Sequence, residues 1–395
     1  MSEPLYFYFE GLNAPLCLVG CEHLAESFPM LFPEWRHHIG EQHDTPLISI
    51  VFESNEYRLS TSWRNEVKRY TDIADIFCEL IAQVLTAKSF SDSEALYLHA
   101  ASVVINGKLI VFPSQYRAGK SLLTACLTAA GFLYFCDDVF PLTLGECKGK
   151  PLGVAPRLRI PIPETTDLES ANFIESHMTL RGKRYAYLDL EKELRVPKND
   201  FLDVGAFVLL ERQDGVDAHV EELPAATVFQ QLIKQNFARE VEGSLILSTL
   251  SKAISQAQCV KICYDRTDDA VSLLKEYFSS WPDDSKGVEN NFYALELQNR
   301  KPESMTEDCL MQNQGVIKTN IDGESFLTSP DGQSIYHLDR IGSGIWELLS
   351  EPTTREEVIA ILSTAFPDID SATIEKDTSK ILSSLRFNNL IAASK

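Results

Sequence analysis

No apolar run in the 395-residue chain approaches the ~20 residues that a membrane-spanning helix needs, so a membrane is not expected as a partner. Positive charge is scarce as well: 36 Lys and Arg stand against 57 Asp and Glu, a formal charge of −21. Without a sustained basic stripe to offset that field, nucleic acid and anionic lipid are poor partners. The N-terminal MSEPLYFYFEGLNAP lacks both the charged and the apolar region of a secretory signal, and the nine cysteines are an odd number. Reduced thiols and a cytoplasmic location are the expectation. Cys17 and Cys21, like Cys259 and Cys263, are four apart, but no second Cys or His pair stands at zinc-finger spacing, so no metal site is expected at either pair.

What the chain does have is room for two or three domains. Residues 1–90 read as short strands (Leu5 to Phe9, Leu47 to Phe52, Tyr57 to Ser60) and an amphipathic helix from Asp72 to Lys88, an α+β region that packs on the second segment. That second segment is residues 91–281. From 282 to 309 the composition shifts to Asp, Ser, Lys, Asn, Glu and Pro with little periodicity, which fits a linker. Residues 310–395 then read as a three-stranded meander, with turns at Asp322-Gly323 and Asp331-Gly332, and three helices after it (Ile341 to Leu349, Thr354 to Ala365, Thr373 to Asn388). Thr353 and Glu356 stand at capping-box spacing.

The chemistry concentrates between Leu96 and Leu142. Tyr97 to Ile105 and Lys108 to Phe112 are β-rich runs joined by Asn106-Gly107, a dipeptide that favours a two-residue hairpin. Continued to its end, that register puts His99 opposite Ser114, at the mouth of the next loop. The loop is Ser114-Gln115-Tyr116-Arg117-Ala118-Gly119-Lys120-Ser121, and its last three residues fit the Gly-Lys-Ser/Thr end of a phosphate-binding loop. Such a loop turns backbone N–H groups toward phosphates, adds a lysine ammonium and a hydroxyl for Mg²⁺, and sits at a helix N-terminus whose dipole favours anions. Leu122 to Ala130 supplies the helix, Gly131 a stop, and Phe132 to Cys136 a strand that delivers Asp137 and Asp138. The tripeptide alone arises often by composition; the ordered strand, loop, helix, strand and acidic pair give it weight. Further on, Arg157 and Arg159 are the only cations of a proline-rich stretch. Arg181-Gly182-Lys183-Arg184 is the densest positive cluster.

These residues resemble the HPr serine kinase family, whose P-loop fold is akin to phosphoenolpyruvate carboxykinase. The matching residues are Leu98-His99-Ala100-Ala101-Ser102, Gly119-Lys120-Ser121 and Asp137-Asp138, with the lysine 21 residues after the histidine and the second aspartate 18 after the lysine. The resemblance implies an α/β (α+β) fold with a mixed sheet and ATP bound by residues 114–121. It also implies Mg²⁺ at Ser121 and Asp137, Lys120 on the outer phosphates, Asp138 as base, and His99 assisting at the phosphates. Arg159 and Arg181 are further candidates for phosphate or substrate contact, and the family implies a homo-oligomer. Ser114 and Arg117 stand where the family usually carries glycine, and the glutamate that would supply a second Mg²⁺ ligand has no counterpart before Arg181-Gly182.

Residues 310–395 resemble the PqqD-like domain, a small winged-helix module of three strands and three helices that recognises leader sequences of ribosomally made, modified peptides. The matching residues are Ser329-Pro330-Asp331-Gly332, Tyr336-His337-Leu338-Asp339, Gly342 to Leu349, Thr353 to Val358 and Leu385 to Ile391. Trp346 reads as core. Together the two resemblances imply an ATP-dependent kinase acting on a Ser or Thr hydroxyl of a peptide or small protein whose leader the C-terminal module holds. The alternatives are a nucleotide-binding but catalytically impaired adaptor that presents a peptide, and a small-molecule kinase or phosphatase on the same fold.

Overall fold

The computed structural model describes residues 3–113, 118–238, 241–281 and 309–393. The chain divides into two compact units, a larger one of Met1–Leu223, Gln231–Glu240 and Gln256–Val288 and a smaller one of Pro224–Gln230, Val241–Ser255 and Glu289–Lys395. Of the expected linker, 282–309, residues 282–308 lie outside the described residues, and Cys309 already belongs to a strand.

In the larger unit, β1 (Leu5–Phe9), β2 (Leu16–Val19), β3 (His37–Gly40), β4 (Ile48–Glu53), β5 (Glu56–Thr61) and β6 (Arg64–Tyr70) form one sheet in the order β3-β1-β2-β4-β5-β6. A single turn, α1 (Phe28–Leu31), precedes β3, and α2 (Ile73–Ser91) comes after β6. Asp72 starts α2 by accepting hydrogen bonds from the N–H groups of Ala74 and Asp75, leaving fewer unpaired donors at that end. Ile76, Phe77, Leu80, Ile81 and Val84 then bury one face of the helix. They join the sheet residues in a core that also contains Ala95, Tyr97, Leu152, Ala155, Leu180 and Tyr187. Each such apolar side chain contributes about 1.5–3 kcal/mol on burial. Because this core runs through position 90, residues 1–90 are one unit with the segment after them.

The second sheet comprises β7 (Ala95–Leu98), β8 (Ala101–Ile105), β9 (Lys108–Phe112), β10 (Leu133–Cys136), β11 (Phe140–Thr143), β12 (Lys148–Gly149), β16 (Leu202–Arg212), β17 (His219–Glu222) and β18 (Gln258–Tyr264). Its order is β10-β8-β9-β16-β12-β11-β7, with β18 on β16 and β17 on β18. A small sheet, β13 (Arg157–Arg159), β15 (Tyr185–Leu188) and β14 (Met178–Arg181), is ordered β13-β15-β14. The helices are α3 (Lys120–Ala129), α4 (Leu168–His177), α5 (Ala225–Gln235), α6 (Gly243–Ser255) and α7 (Thr267–Tyr277). The Asn106-Gly107 turn forms as expected: both residues have positive φ (49° and 79°), and β8 pairs with β9 from Ala101↔Phe112 to Ile105↔Lys108. β9 and β16 are parallel, as are β16 and β18, whereas β8 is antiparallel to β9 and β10, so the sheet is mixed.

One expectation fails here. The run from Tyr97 to Ile105 is not one strand: it breaks at His99 and Ala100, and Leu98 pairs with Phe140 on β11. His99 donates its backbone N–H to Gln235 O at 2.8 Å and does not continue the hairpin toward Ser114. β-propensity alone cannot register such a break, because both sides are equally apolar and fully paired.

In the smaller unit, β20 (Lys318–Ile321), β21 (Glu324–Thr328) and β22 (Ile335–Leu338) form the meander, and β19 (Cys309–Gln312), β23 (Thr353–Thr354) and β24 (Ile391–Ala393) form a second sheet ordered β23-β19-β24. The three expected helices are α8 (Arg340–Leu348), α9 (Arg355–Ala365) and α10 (Ser371–Phe387). They close a core around Trp346, Ile345, Leu349, Val358, Leu382 and Leu385, in which Trp346 is fully buried. The capping box at α9 uses Thr354 and Glu357, one residue later than the Thr353 and Glu356 read from the sequence. Both pairs satisfy the spacing, and the hydroxyl of Thr353 instead donates to the carbonyls of Leu348 and Glu351. Residues 224–230 and 241–255 also fold with this unit: Phe229 meets Phe326 edge-on at 4.6 Å, and Ala226 N–H donates to Asp322. Periodicity identifies a helix there but not what it packs against. Among the described residues, no helix is long and apolar enough to cross a membrane.

Candidate functional site

Gly119 caps α3 with φ +88°, a left-handed conformation that L side chains rarely adopt, and a Cβ there would lie 3.3 Å from Tyr264 Oη. Ala118 precedes it, its carbonyl accepting from Tyr264 Oη at 3.4 Å. Lys120 and Ser121 open the first turn, where unpaired N–H groups and the helix dipole favour an anion. Lys120 is 6% exposed. Burial pushes its ammonium below the ordinary lysine range, while the charges of Asp138 and Asp137 oppose the shift. The other loop residues expected to bind nucleotide, Ser114, Gln115, Tyr116 and Arg117, lie outside the described residues.

Strand pairing brings the remaining groups together. β10 runs antiparallel to β8, with Tyr134↔Val103 and Cys136↔Ser102, and an irregularity at Phe135. Continued past its last pair, this register carries Asp137 and Asp138 alongside Ala100 and Ala101, next to the break that holds His99. His99 Nε2 lies 3.1 Å from Asp138 Oδ1. Arg157, on β13, reaches Asp138 Oδ2 with its guanidinium at 2.7 Å and donates its backbone N–H to Asp137 Oδ2 at 2.9 Å. Its guanidinium also donates to Cys78 Sγ and lies over the Tyr185 ring, 5.0 Å from the centroid.

The two aspartates differ although they are adjacent. Asp137 is 6% exposed; burial first, then repulsion by Asp138, raises its pKa from the ordinary 3.8 to about 6, against the pull of Arg157 and Tyr134. Tyr134 Oη donates to Asp137 Oδ1 at 3.3 Å, so each Asp137 oxygen accepts one hydrogen bond and keeps a further lone pair. Asp137 lines a cavity of about 30 Å³ with Tyr134, Arg157 and Tyr187, room for one water-sized guest. The Asp138 side chain is 40% exposed. Burial opposes its charge too, but the His99 hydrogen bond, Arg157 and Lys120 outweigh it and hold the carboxyl below its usual range. Ser121 and Asp137 are hard oxygen donors of the kind Mg²⁺ takes, so they fit the ion that the kinase resemblance implies.

Of the other expected contacts, Arg159 is exposed on β13 and lies over the Tyr185 ring at 5.6 Å. Directly paired across β13 and β15, Arg159 and Tyr185 sit one strand step from Arg157, on its face. Arg181 pairs with Glu175 at 3.2 Å. Arg157 is the site residue that sequence reasoning passed over. Its signal was present, as one of two cations alternating along a proline-rich stretch, but it stands 19 positions after Asp138 and no local pattern joins them.

Three comparisons bear on the chain. Residues 324–391 match the family model described as Coenzyme PQQ synthesis protein D (PqqD). A solved structure described as "TbiB1 in Complex with the TbiA(beta) Leader Peptide" is 27% identical and covers 22% of this chain and 98% of that one, with a TM-score of 0.20. No curated protein matches. The match lies within the smaller unit, spanning the second and third meander strands and all three helices, and residues 324–391 are a C-terminal PqqD domain.

Proposed function

We propose that this protein is an ATP-dependent kinase of modified-peptide biosynthesis, which phosphorylates a Ser or Thr hydroxyl on a peptide or small protein and binds that substrate's leader through its PqqD domain. The observation that carries the kinase reading is the contact set around Asp138: an ionised, partly exposed carboxylate held by His99 and Arg157, in the field of a buried lysine at a helix N-terminus. The acceptor oxygen attacks the γ-phosphorus of ATP, the bond to the β–γ bridging oxygen breaks, ADP leaves, and the acceptor proton passes to Asp138. Lys120 stabilises charge on the outer phosphates, and His99 and Arg157 fix the carboxylate. Mg²⁺, held by Ser121 and Asp137, would offset further phosphate charge.

The peptide part rests on the PqqD domain. Its meander has two outer strands, β20 and β22, each paired on one side only among the described residues, and an extended peptide adds to such an edge through backbone hydrogen bonds.

Transfer of radiolabel from γ-labelled ATP to candidate precursor peptides tests the chemistry, with Lys120→Ala and Asp138→Asn as controls. Label that appears with wild type and drops at least a hundredfold in both variants supports the reading; equal labelling in all three sinks it. Hydrogen exchange on the full chain with an added leader peptide tests the other half: new protection should fall on β20 or β22, and protection confined to the larger unit would refute it. A second reading, a nucleotide-binding adaptor without transfer, is favoured by Ser114 and Arg117 in place of glycines. ATP binding with leader binding but no labelled product would select it.

A further inference from the structure

Away from the acidic pair, β16, β18 and β17 place a second set of functional groups on one face of the large sheet. Glu211, Cys263 and His219 are direct neighbours across the three strands, and Lys261 pairs with Glu221 one step along. A ring nitrogen of His219, a Glu221 carboxylate oxygen and Cys263 Sγ all lie within 4.8 Å of one another. Glu221 Oε1 is 3.2 Å from His219 Nε2 and accepts from Cys263 Sγ at 3.4 Å. These separations suit three corners of a tetrahedron whose bonds are about 2.0–2.3 Å long.

We propose that His219, Glu221 and Cys263 form a binding site for a zinc-like divalent cation, one that takes nitrogen, oxygen and sulfur together. The surroundings are arranged as an outer shell for such an ion. His219 Nδ1 lies 2.8 Å from Asp217 O, so the Nδ1–H donates there and Nε2 is the nitrogen turned toward the other two ligands. Glu221 uses separate oxygens: Oε2 pairs with Lys261 at 3.0 Å, while Oε1 faces His219 and Cys263. An ion on Oε1 therefore leaves Lys261 in place, and the ammonium retains Glu211 at 2.8 Å. Binding replaces the thiol proton of Cys263 and any proton on His219 Nε2, which pass to solvent. A mixed donor set excludes Mg²⁺ and Ca²⁺, which require oxygen. The ion would tie β17, which among the described residues pairs only with β18, to its neighbour.

The test is Co²⁺ titration of metal-free full-length protein, monitored by thiolate-to-cobalt charge-transfer absorption, with Zn²⁺ as competitor. One equivalent should develop the band, Zn²⁺ should remove it, and both Cys263→Ser and His219→Ala should abolish it. Cys263 is buried at 3% exposure, so its replacement can perturb the sheet; the His219 side chain is 47% exposed, and its variant should keep the wild-type circular dichroism. No band in wild type, or a band that survives in folded His219→Ala, overturns the proposal. Neither result depends on kinase activity.

Discussion

Replacing Asp137 with asparagine should stabilise the larger unit at alkaline pH. Asp137 is a carboxyl held where its charge is unwelcome: burial and the neighbouring Asp138 raise it from 3.8 to about 6. With the folded pKa above the unfolded one, the folded chain holds the proton more tightly. The cost of ionisation is therefore absent below about pH 4, grows as the pH rises toward 6, and is constant above that. A rise of that size corresponds to about 3 kcal/mol at pH 8, and since part of it is shared with Asp138, a gain of about 1–3 kcal/mol is expected. Asparagine can keep the local bonds. Its oxygen can accept from Arg157 N–H, and its amide can donate to Tyr134 Oη, whose own proton can turn to Val154 O, 3.3 Å away. Urea unfolding of both proteins at pH 4, 6 and 8, read by hydrogen-exchange protection of β10, should show the variant's advantage growing between pH 4 and 6 and then levelling. A variant less stable than wild type at pH 8, or a difference that ignores pH, would refute the account of Asp137 as a buried carboxyl under strain.

Gly119→Ala should cost about 1–2 kcal/mol from the left-handed backbone alone and crowd Tyr264, lowering the midpoint of thermal unfolding; an unchanged midpoint would count against the geometry at the start of α3. Gly205→Ala should displace Trp281, because a Cβ at 205 would overlap the indole ring; a cost of about 1–3 kcal/mol and a shift in tryptophan emission are expected, and unchanged emission would contradict the packing. Trp346→Ala should remove about 3–5 kcal/mol from the smaller unit, seen as early loss of hydrogen-exchange protection in β21 and α8.

Local chemistry was legible in the sequence and long-range pairing only where a turn fixed it. Asn106-Gly107 specified its hairpin because the dipeptide sets the turn and the turn sets the register. The same register did not carry to His99, because the strand breaks there and Gln235, from the end of α5, takes the backbone N–H. The two DG turns of the meander and its three helices were readable from turn chemistry and periodicity, whereas the choice between Thr353 and Thr354 as cap was not, since two overlapping capping boxes differ only in where the chain enters the helix. Arg157 and the row Glu211, Cys263, His219 were out of reach for one reason: each meets its partners across strands or through a distant loop.

The acidic pair shows what structure adds to a motif. Asp137 and Asp138 are chemically identical and adjacent, and a motif treats them as a unit. Just past the end of β10 the two carboxyls differ in burial, Asp137 being buried and Asp138 partly exposed. A carboxylate that takes a proton from an acceptor must be ionised before the reaction and within reach of solvent-borne substrate. Asp137 satisfies neither condition well: burial favours its protonated form and keeps it from solvent. Asp138 satisfies both, being 40% exposed and kept charged by His99, Arg157 and Lys120. In the proposed transfer, the groups that hold its pKa down would also weaken it as a base, so proton transfer to it would come late, after the acceptor oxygen has begun to bond to phosphorus and its proton has become acidic. That order is the one a loose phosphoryl-transfer transition state permits.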